Sequence, residues 1–346
     1  MSDFEQKSEG KALIFVPREK KVSKKLPVFY NPAMKLNRDV SILLLNSIKN
    51  KGMQIALPLA GTGVRGVRFL LELDKGKIKS ISMNDYNERA VRIIKQNLKL
   101  NKIKKTGNIS IAKKDANLFI LESSGFDYID IDPFGTPNYF LDSAVKRIAR
   151  EGILAVTATD TSALAGSFPT ACKRKYWATP LRNELKHEAG LRILIRKVQL
   201  IGAQFGKALT PIFCYAEQHY MRAFFCCEKG KHKVDKILGQ HGMLGNAGPM
   251  WIGRLWDKKL ASAVANKSDE KILKMMGAES KIPVVGFYDV HGLCKRNKIR
   301  YMPKTSNIIK KIKQKKYEAS LTHLSPTGIR SNINEKELVR IIKQLR

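Results

Sequence analysis

Residues suited to binding a nucleoside follow three successive apolar segments of the chain. Gly61 and Gly63 belong to a Gly-Thr-Gly-Val-Arg-Gly turn after the first segment, where glycines let the backbone bend sharply and approach a ligand. Asp85 ends the second segment, about 20 residues on, where a carboxylate can bind both ribose hydroxyls. Asp115 follows the third and could accept a hydrogen bond from an adenine amino group. Either aspartate alone could cap a helix, but the coincidence at three segment ends favours a nucleoside-containing cofactor.

A fourth segment ends in Asp132-Pro133-Phe134-Gly135, which resembles the (Asn/Asp)-Pro-Pro-(Phe/Tyr) motif of methyltransferases acting on exocyclic amino groups. Such an amine is a weak nucleophile because its lone pair is delocalised into the ring. The Asp132 carboxylate and the Pro133 carbonyl could accept its N–H groups and favour the pyramidal, reactive form, and Asp132 could take the leaving proton. Phe134 could stack on the base. A rigid turn is the structural alternative, but the motif favours S-adenosylmethionine over a nicotinamide cofactor.

Apolar periodicity predicts the elements that must position these residues. Helical and strand-like segments alternate, which implies a parallel sheet with right-handed crossovers. Two further apolar runs, joined by a short polar link, predict a terminal antiparallel hairpin. We therefore expect an α/β fold with a Rossmann-like, doubly wound methyltransferase sheet, plus a smaller basic α+β C-terminal domain. The predicted strands are 54–60, 78–83, 109–112, 126–131, 152–157, 210–216 and 220–227, and the predicted helices are 67–74, 88–101, 141–150 and 182–205.

The length of 346 residues favours two domains. Residues 1–25 are polar and basic, with lysines at 20, 21, 24 and 25, and are predicted to form an exposed arm. The glycine-rich segment 230–248 indicates a boundary. We expect a first domain over residues 1–230, including the arm, and a basic second domain over residues 231–346.

The chain is strongly basic, with 64 Lys and Arg residues against 30 Asp and Glu and a net charge of +34. This charge favours a polyanionic partner, nucleic acid ahead of a membrane surface, because no apolar run approaches the roughly 20 residues that span a bilayer. The interval between Asp289 and Glu318 has no acidic residue and contains Tyr301, which favours binding to phosphates over a merely solvated face. Its basic residues are Lys295, Arg296, Lys298, Arg300, Lys304, Lys310, Lys311, Lys313, Lys315 and Lys316.

The N-terminus does not resemble a signal peptide, so we expect a cytoplasmic protein. The five cysteines include no CxxC pair, which argues against a disulfide framework or a zinc ribbon. Cys226 and Cys227 are predicted to belong to an apolar strand. The His187-Glu188 pair is predicted to be a satisfied polar pair on a long helix, in preference to a metal or acid–base site.

Longer motifs make the resemblance specific. Between about Val28 and Asn332 the chain resembles the tRNA (guanine-26-N2) dimethyltransferase family, whose members are class I S-adenosylmethionine-dependent enzymes. The most discriminating stretch is DPFGTPNYFLDSA at 132–144. The other matching segments are VFYNP at 28–32, LNRD at 36–39, 61–68, 84–97, TDT at 159–161, CKRKY at 172–176, PLRNE at 180–184, HEAGLR at 187–192 and THLSPTGI at 322–329.

The resemblance implies methylation of the exocyclic N2 of guanine 26 in tRNA, with S-adenosylmethionine as cofactor and tRNA as partner. It implies no membrane and no obligatory protein partner. Residues 1–230 would then hold the cofactor and catalyse the reaction, and residues 231–346 would bind tRNA. The number of methyl groups added and modification of guanine 27 are left open by the sequence.

The resemblance also assigns roles to individual residues. Asp132 would be catalytic, and Phe29 and Phe134 would enclose the flipped guanine beside Pro133. The cofactor contacts would be Arg38, whose guanidinium suits the cofactor carboxylate, Gly61, Gly63, Arg65, Asp85 at the ribose, and Asp115 and Ala116 at the adenine. The tRNA contacts would be Lys173, Arg174, Lys175 and Arg182, which could also be solvated helix charges.

Several members of the family carry a four-cysteine zinc site before a Gly-Pro-Leu-Trp-like motif. Here Gly-Gln-His-Gly at 239–242 stands where paired cysteines would lie. We therefore predict no metal, and expect apolar packing by Trp251, Leu255 and Trp256 to hold this region.

Three alternatives stay open at this point. A related enzyme could methylate another RNA or DNA base, such as adenine at N6. A non-catalytic tRNA-binding protein could retain a nucleotide fold. A nicotinamide dehydrogenase would leave the charge and the Asp-Pro-Phe-Gly motif unexplained.

Overall fold

The structure, a computed structural model, describes residues 3–18, 26–104, 107–217 and 219–345. The strands within these ranges are β1 (Phe4–Glu9), β2 (Ala12–Pro17), β3 (Met53–Leu57), β4 (Ile78–Asn84), β5 (Ile109–Ala112), β6 (Phe126–Ile131), β7 (Ile148–Ala158), β8 (Lys207–Glu217), β9 (Tyr220–Lys229), β10 (His241–Leu244), β11 (Ala247–Trp251), β12 (Tyr288–Asp289), β13 (Ala319–Leu321) and β14 (Gly328–Ser331). The helices are α1 (Lys35–Ser47), α2 (Val64–Glu72), α3 (Glu88–Leu100), α4 (Ala116–Leu121), α5 (Asn138–Arg147), α6 (Thr161–Leu164), α7 (Pro169–Tyr176), α8 (Lys186–Gln204), α9 (Lys231–Leu238), α10 (Lys258–Asn266), α11 (Lys271–Glu279), α12 (Val290–Arg296), α13 (Thr305–Gln314) and α14 (Glu335–Gln344).

The central sheet has seven strands in the order β5-β4-β3-β6-β7-β9-β8. The pairs β3–β4, β4–β5, β3–β6 and β6–β7 are parallel. Only residues 218 and 219 join β8 to β9, so these neighbours form a hairpin and run antiparallel. The predicted doubly wound, Rossmann-like sheet with its terminal hairpin is confirmed.

Parallel strands end at one edge of a sheet, and this edge collects the candidate site residues. β3 leads into Gly61, β4 into Asp85 and β6 into Asp132. Asn84, the buried last residue of β4, joins the strand ends: its Nδ2 donates to the carbonyls of Pro58 and Lys114, each at 3.0 Å. A role for Asn84 was not predicted.

The helices beside the sheet follow the predicted apolar spacing. In α3, Ala90, Val91, Ile93, Ile94 and Leu98 are all buried. Asn87 begins this helix, because its side chain accepts a hydrogen bond from the Arg89 amide. The short helix α4, which follows Asp115, was not predicted.

The N-terminal segment departs from its prediction. Residues 4–17 form the antiparallel hairpin β1–β2, with Ala12, Ile14 and Val16 buried. The amides of Leu13 and Phe15 donate to the side chains of Asn101 and Asn97, at 2.9 and 2.7 Å. The prediction of an exposed arm is therefore wrong for residues 4–17, because alternate apolar residues of β2 outweigh the flanking charges. Lysines 20, 21, 24 and 25 lie outside the described residues.

The chain groups into two compact units that alternate along the sequence. The first contains Met1–Thr159, Leu200–Thr210 and Phe224–Asp235, and the second contains Asp160–Gln199, Pro211–Ala223 and Lys236–Arg346. The predicted boundary near residue 230 assumed that each domain is one continuous stretch of the chain. In the structure each unit consists of several segments, and β8 and β9 contribute residues to both units. The glycine-rich segment there is built into α9, β10 and β11. The assignment of separate catalytic and tRNA-binding roles to residues 1–230 and 231–346 stays a prediction.

The C-terminal part of the second unit has the predicted α+β composition. The three-stranded sheet β12-β14-β13 is antiparallel. Apolar side chains of α12, α13 and α14, among them Leu293, Ile308, Ile312 and Leu338, form one core with Ile329 of β14. The basic residues predicted from the sequence therefore belong to a folded, amphipathic region.

Ionised side chains are fully buried inside the second unit. Arg330 pairs with Glu188 at 2.8 Å and with Glu279 at 3.0 Å, and all three side chains have no exposed surface. Glu188 also pairs with Arg192 of its own helix at 2.8 Å. Glu188 is thus a satisfied polar group, as the sequence predicted. No helix in the described ranges is both long enough and apolar enough to cross a bilayer.

Candidate active site

The glycine turn after β3 has the conformation that its glycines suggest. Gly61 and Gly63 have φ angles of +53° and +76°, in the left-handed region that other residues rarely adopt. A Cβ atom on Gly61 would lie 2.8 Å from the carbonyl oxygen of Phe29. Gly63 is also the N-terminal cap of α2. The turn is therefore a close-packed cradle at the end of β3, which a larger residue would distort.

Asp85 is fixed beside this turn. Its Oδ2 accepts the Gly61 amide at 2.8 Å, and its Oδ1 accepts the Asn87 amide at 2.9 Å. Burial raises the pKa of Asp85, and the two backbone hydrogen bonds oppose that rise. The carboxylate is thus held at the strand end where the sequence placed a ribose-binding group.

Asp132 is held by Arg65, for which the resemblance implied contact with the cofactor. Nη2 of Arg65 donates to Oδ2 of Asp132 at 2.6 Å, and Nη1 lies 3.4 Å from the buried Asp130. Two side chains of α1 fix the guanidinium: Nη2 donates to Asn37 Oδ1 and Nη1 to Ser41 Oγ, each at 2.9 Å. The side chain of Asp132 is 20% exposed. The site therefore presents an oriented carboxylate that solvent or a ligand can reach.

Arg38 is committed to a partner that the sequence reasoning missed. Its Nε and Nη2 donate to the two carboxylate oxygens of Glu9, each at 2.6 Å. Burial alone would raise the pKa of Glu9, but the hydrogen bonds and charge of Arg38, the Tyr30 hydroxyl and the charge of Arg68 lower it overall. Nη1 of Arg38 is in none of these bonds. Contact of Arg38 with a cofactor carboxylate stays a prediction. Such a contact would use Nη1, since Nε and Nη2 bind Glu9.

Asp115 and Ala116 begin α4. Oδ1 of Asp115 accepts the amides of Asn117 and Leu118, at 2.8 and 3.2 Å. Asp115 thus has the capping role that the sequence reasoning weighed as its alternative. It is exposed, Ala116 is buried, and both follow the carboxyl end of β5. Their contact with an adenine stays a prediction.

Two aromatic rings from distant parts of the chain meet at the site. The ring centroids of Phe29 and Phe134 are 4.2 Å apart, with an angle of 75° between the planes. Phe134 is 43% exposed, although it is a large apolar side chain. Gly135 anchors the loop, because its amide donates to Thr159 Oγ1 at 2.6 Å and its carbonyl accepts the Thr159 amide at 2.9 Å.

One pocket in the first unit collects much of this set. The predicted residues that line it are Phe29, Arg38, Gly61, Arg65 and Asp132. Its other lining residues are Tyr30, Asn31, Met34, Leu57, Leu59, Ala60, Thr62, Val64 and Asp130. The LNRD motif at 36–39 could have indicated that α1 contributes to the site. No sequence pattern indicated that Glu9 pairs with Arg38. The pocket combines two carboxylates, two guanidinium groups and two aromatic side chains beside a glycine turn.

Comparison with known proteins identifies the family. The sequence model of the family described as N2,N2-dimethylguanosine tRNA methyltransferase matches residues 10–247 and 241–343. The chain belongs to this family.

Individual members are similar over nearly their whole length. A tRNA (guanine(26)-N(2)/guanine(27)-N(2))-dimethyltransferase of Aquifex aeolicus is 37% identical, over 97% of this chain and 95% of the relative. A tRNA (guanine(26)-N(2))-dimethyltransferase of Pyrococcus furiosus is 39% identical over 97% of each chain. The structure of Trm1 from Pyrococcus horikoshii with S-adenosyl-L-methionine superposes with a TM-score of 0.88, at 35% identity, over 97% of this chain and 99% of that one.

The basic residues predicted to bind tRNA belong to the second unit. Lys173 and Arg174 are exposed on the last turn of α7, and Arg182 is exposed after it. Lys175 is half-buried and pairs with Asp160 at 3.1 Å. For this member of the family, their contact with phosphates stays a prediction.

The segment where the resemblance would place a zinc site is packed here as predicted. Trp251, Leu255 and Trp256 are 3%, 1% and 5% exposed, which confirms the predicted apolar packing. His241 contacts Gln199 at 2.9 Å, and burial, with the charge of Arg196, lowers the pKa of His241 to about 4. No group of three metal-ligating side chains occurs among the residues that the structure describes. The absence of zinc stays a prediction.

The cysteines are free, and Cys226 and Cys227 belong to β9, as predicted. Burial raises the pKa of Cys227 to about 11. A thiol with so high a pKa is a poor metal ligand or nucleophile at neutral pH.

Proposed function

We propose that this protein transfers methyl groups from S-adenosylmethionine to the exocyclic N2 of guanine 26 in tRNA, giving N2-methylguanosine and N2,N2-dimethylguanosine. The observation that carries the proposal is the Asp132 carboxylate, held by Arg65 at 2.6 Å in a pocket that Phe29 also lines. The family membership of the chain supports the reaction and the donor. The names of its relatives support guanine 26 as the target.

The residues around the glycine turn fit the proposed cofactor. Gly61 lines the pocket, and Asp85 is fixed beside it by two backbone amides. A carboxylate in this position can accept hydrogen bonds from ribose hydroxyls. When bound, S-adenosylmethionine supplies a methyl group on a sulfonium centre that is already activated for transfer. Positioning is therefore the main task of the protein.

Phe29 and Phe134 are proposed to enclose the target base. A guanine paired or stacked inside folded RNA cannot reach Asp132, so it must be extruded. The exposed Phe134 ring offers a stacking surface, and its edge-to-face contact with Phe29 keeps it in place.

Asp132 is proposed to activate the amine. Arg65 occupies Oδ2 of the carboxylate, which leaves Oδ1 to accept one N2–H of guanine. The carbonyl of Pro133 would accept the other N–H, and together they would favour the pyramidal amine. Its lone pair would attack the methyl carbon while the bond from that carbon to sulfur breaks and its electron pair stays on sulfur. Asp132 takes the proton that N2 loses as the new bond forms. Monomethylguanine keeps one N–H, which Asp132 can still accept, so a second transfer can follow without the contact to the Pro133 carbonyl.

The substrate itself is proposed to be held by the basic surface of the second unit. Exposed Lys173, Arg174 and Arg182 and the basic interval 295–316 are suited to phosphate contacts. A cytoplasmic location is proposed with this function, since tRNA is the substrate.

The test uses labelled S-adenosylmethionine and two tRNA transcripts that differ only at position 26, guanine in one and adenine in the other. Nucleoside analysis should show labelled N2-methylated guanosines from the first transcript alone. Equal label in both would move the target elsewhere in tRNA, and a third transcript with guanine 27 replaced would examine that neighbour. Label in N6-methyladenosine would support the alternative target base. Tight tRNA binding without any label would support the non-catalytic alternative.

A further inference from the structure

One tryptophan is exposed on the second unit. The chain contains three tryptophans. Trp251 and Trp256 are buried, at 3% and 5% exposed, whereas Trp177 is 48% exposed. Trp177 follows α7 as its C-terminal cap, with a φ angle of +55°, and its amide donates to the Lys173 carbonyl at 3.0 Å. A bulky aromatic side chain rarely adopts this backbone conformation, and here nearly half of the side chain is accessible to a ligand.

Two basic residues of α8 contact Trp177, one at its ring and one at its backbone carbonyl. Nζ of Lys197 lies 3.0 Å from the ring centroid of Trp177. Nη1 of Arg196 donates to the Trp177 carbonyl at 3.3 Å. Lys197 is only 5% exposed, and burial, with the charge of Arg196, lowers its pKa to about 8. A cation thus covers one face of the indole, and the ring is fixed before any ligand arrives.

The surroundings of the exposed ring are positively charged. Lys173 and Arg174 are exposed on the last turn of α7, directly before Trp177. The acidic Asp160 is already engaged by Lys175 and by the Tyr176 hydroxyl. A fixed aromatic face beside exposed cations suits a ligand that combines a flat π system with negative charge, which is the chemistry of an unpaired nucleotide.

We infer that Trp177 is a stacking platform for an unpaired nucleobase of the RNA substrate, with Lys173 and Arg174 on the adjoining phosphates. This inference rests on the proposed function, since it takes tRNA as the ligand. α7 and α8 then form a subsite where the flat face of an exposed base stacks on Trp177. This base is not the guanine that is methylated. The platform contributes to tRNA affinity and does not take part in the chemical step.

Fluorescence tests the platform directly, because the other two tryptophans are buried. The difference between the wild-type protein and Trp177→Phe isolates the signal of Trp177. Addition of unmodified tRNA should quench this signal and protect it from acrylamide. Quenching by anionic phosphatidylserine vesicles, without quenching by tRNA, would assign the ring to a membrane surface and overturn the inference.

Binding measurements give the contribution of Trp177 to the affinity for tRNA. Stacking on an aromatic side chain predicts that Trp177→Ala raises the Kd for tRNA about 5- to 100-fold, and Trp177→Phe less. Because no charge is lost, the salt dependence of Trp177→Ala binding should match the wild type. Lys173→Ala/Arg174→Ala should instead reduce the slope of log Kd against log salt by about 1.4 to 1.8. At saturating tRNA, Trp177→Ala should keep the wild-type kcat.

Phe168 provides the matched control. It is the N-terminal cap of the same helix, and it is 60% exposed. Phe168→Ala should leave tRNA affinity near that of the wild type, whereas an equal loss in both variants would overturn a specific role for Trp177. Wild-type methylation is measured first on the same tRNA. Absence of methylation would refute the proposed function, whereas methylation with unchanged Trp177→Ala binding would refute this inference alone.

Discussion

Substitution of Asp132 by asparagine separates the shape of this side chain from its charge. In the structure, Oδ2 of Asp132 accepts a hydrogen bond from Arg65 at 2.6 Å. An asparagine has one acceptor oxygen, and the guanidinium is purely a donor, so the amide oxygen turns towards Arg65. The amide NH2 group then faces the N–H groups of guanine, and two donors meet.

The expected loss follows from these contacts. A hydrogen bond to a carboxylate contributes about 1.5–3 kcal/mol, and the introduced amide would replace it with a repulsive contact. Loss of a positioned proton acceptor costs about 10²- to 10⁴-fold in rate. We therefore expect the rate of methyl transfer by Asp132→Asn to fall by at least about 100-fold, with little change in affinity for tRNA.

Single-turnover methyl transfer at saturating tRNA is the appropriate assay, since it separates the chemical step from product release. Asp142→Asn is the matched control. It removes the same charge from an exposed ion pair on α5, where Asp142 lies 2.8 Å from Lys146, and such pairs contribute about 0–1 kcal/mol. A rate for Asp132→Asn within about threefold of the control would refute the proposed role of Asp132.

Three further predictions concern the glycine turn, the buried carboxylate beside it and the ion pairs of the second unit. Gly61→Ala should lower the melting temperature and weaken cofactor binding more than Gly76→Ala does, because both glycines have positive φ but only Gly61 has a neighbouring carbonyl at 2.8 Å; equal effects in calorimetry would contradict the close approach. Burial raises the pKa of Asp85, so the folded state binds its proton more tightly than the unfolded chain, and stability falls as pH rises above its ordinary value of 3.8. Asp85→Asn keeps only one acceptor oxygen for the Gly61 and Asn87 amides, so it should lower the melting temperature at pH 7. It should also weaken S-adenosylmethionine binding about tenfold or more by calorimetric titration; unchanged affinity would argue against ribose binding. Glu188 is buried, but Arg330 and Arg192 hold its pKa at about 2, so its stabilisation is lost as pH falls from 4.5 towards 2. Glu188→Gln should cost about 3–5 kcal/mol in denaturant unfolding at pH 7 and flatten this acid dependence, and an unchanged midpoint would contradict the ion-pair geometry.

The sequence was sufficient to predict the sheet and the order of its site residues. Alternating apolar segments, each followed by a polar or glycine residue, are local patterns, and parallel strands bring their ends to one edge. Gly61, Asp85 and Asp132 therefore lie where expected, and Phe29 and Phe134 meet at 4.2 Å between ring centroids. The N-terminal hairpin was missed because its β2 strand is short and lies between charged residues.

Pairing between charged side chains was not predictable in the same way. Arg65 and Asp132 are separated by 67 residues, and Glu9 and Arg38 by 29. Both arginines had several acidic candidates in the sequence, and no periodicity distinguishes among them. The resemblance placed both at the cofactor, whereas the structure shows each engaged with a carboxylate of the protein.

The sequence by itself determined the fold class, the family and the chemistry available at each strand end, because these depend on local patterns of residue type. Tertiary structure decided which groups the chemistry can use: Arg65 orients Asp132, Glu9 occupies Arg38, and Lys197 covers one face of Trp177. The physical reason is that an ion pair or ring contact depends on separations of a few ångströms in space. Such separations are set by the packing of whole elements and not by distance along the chain.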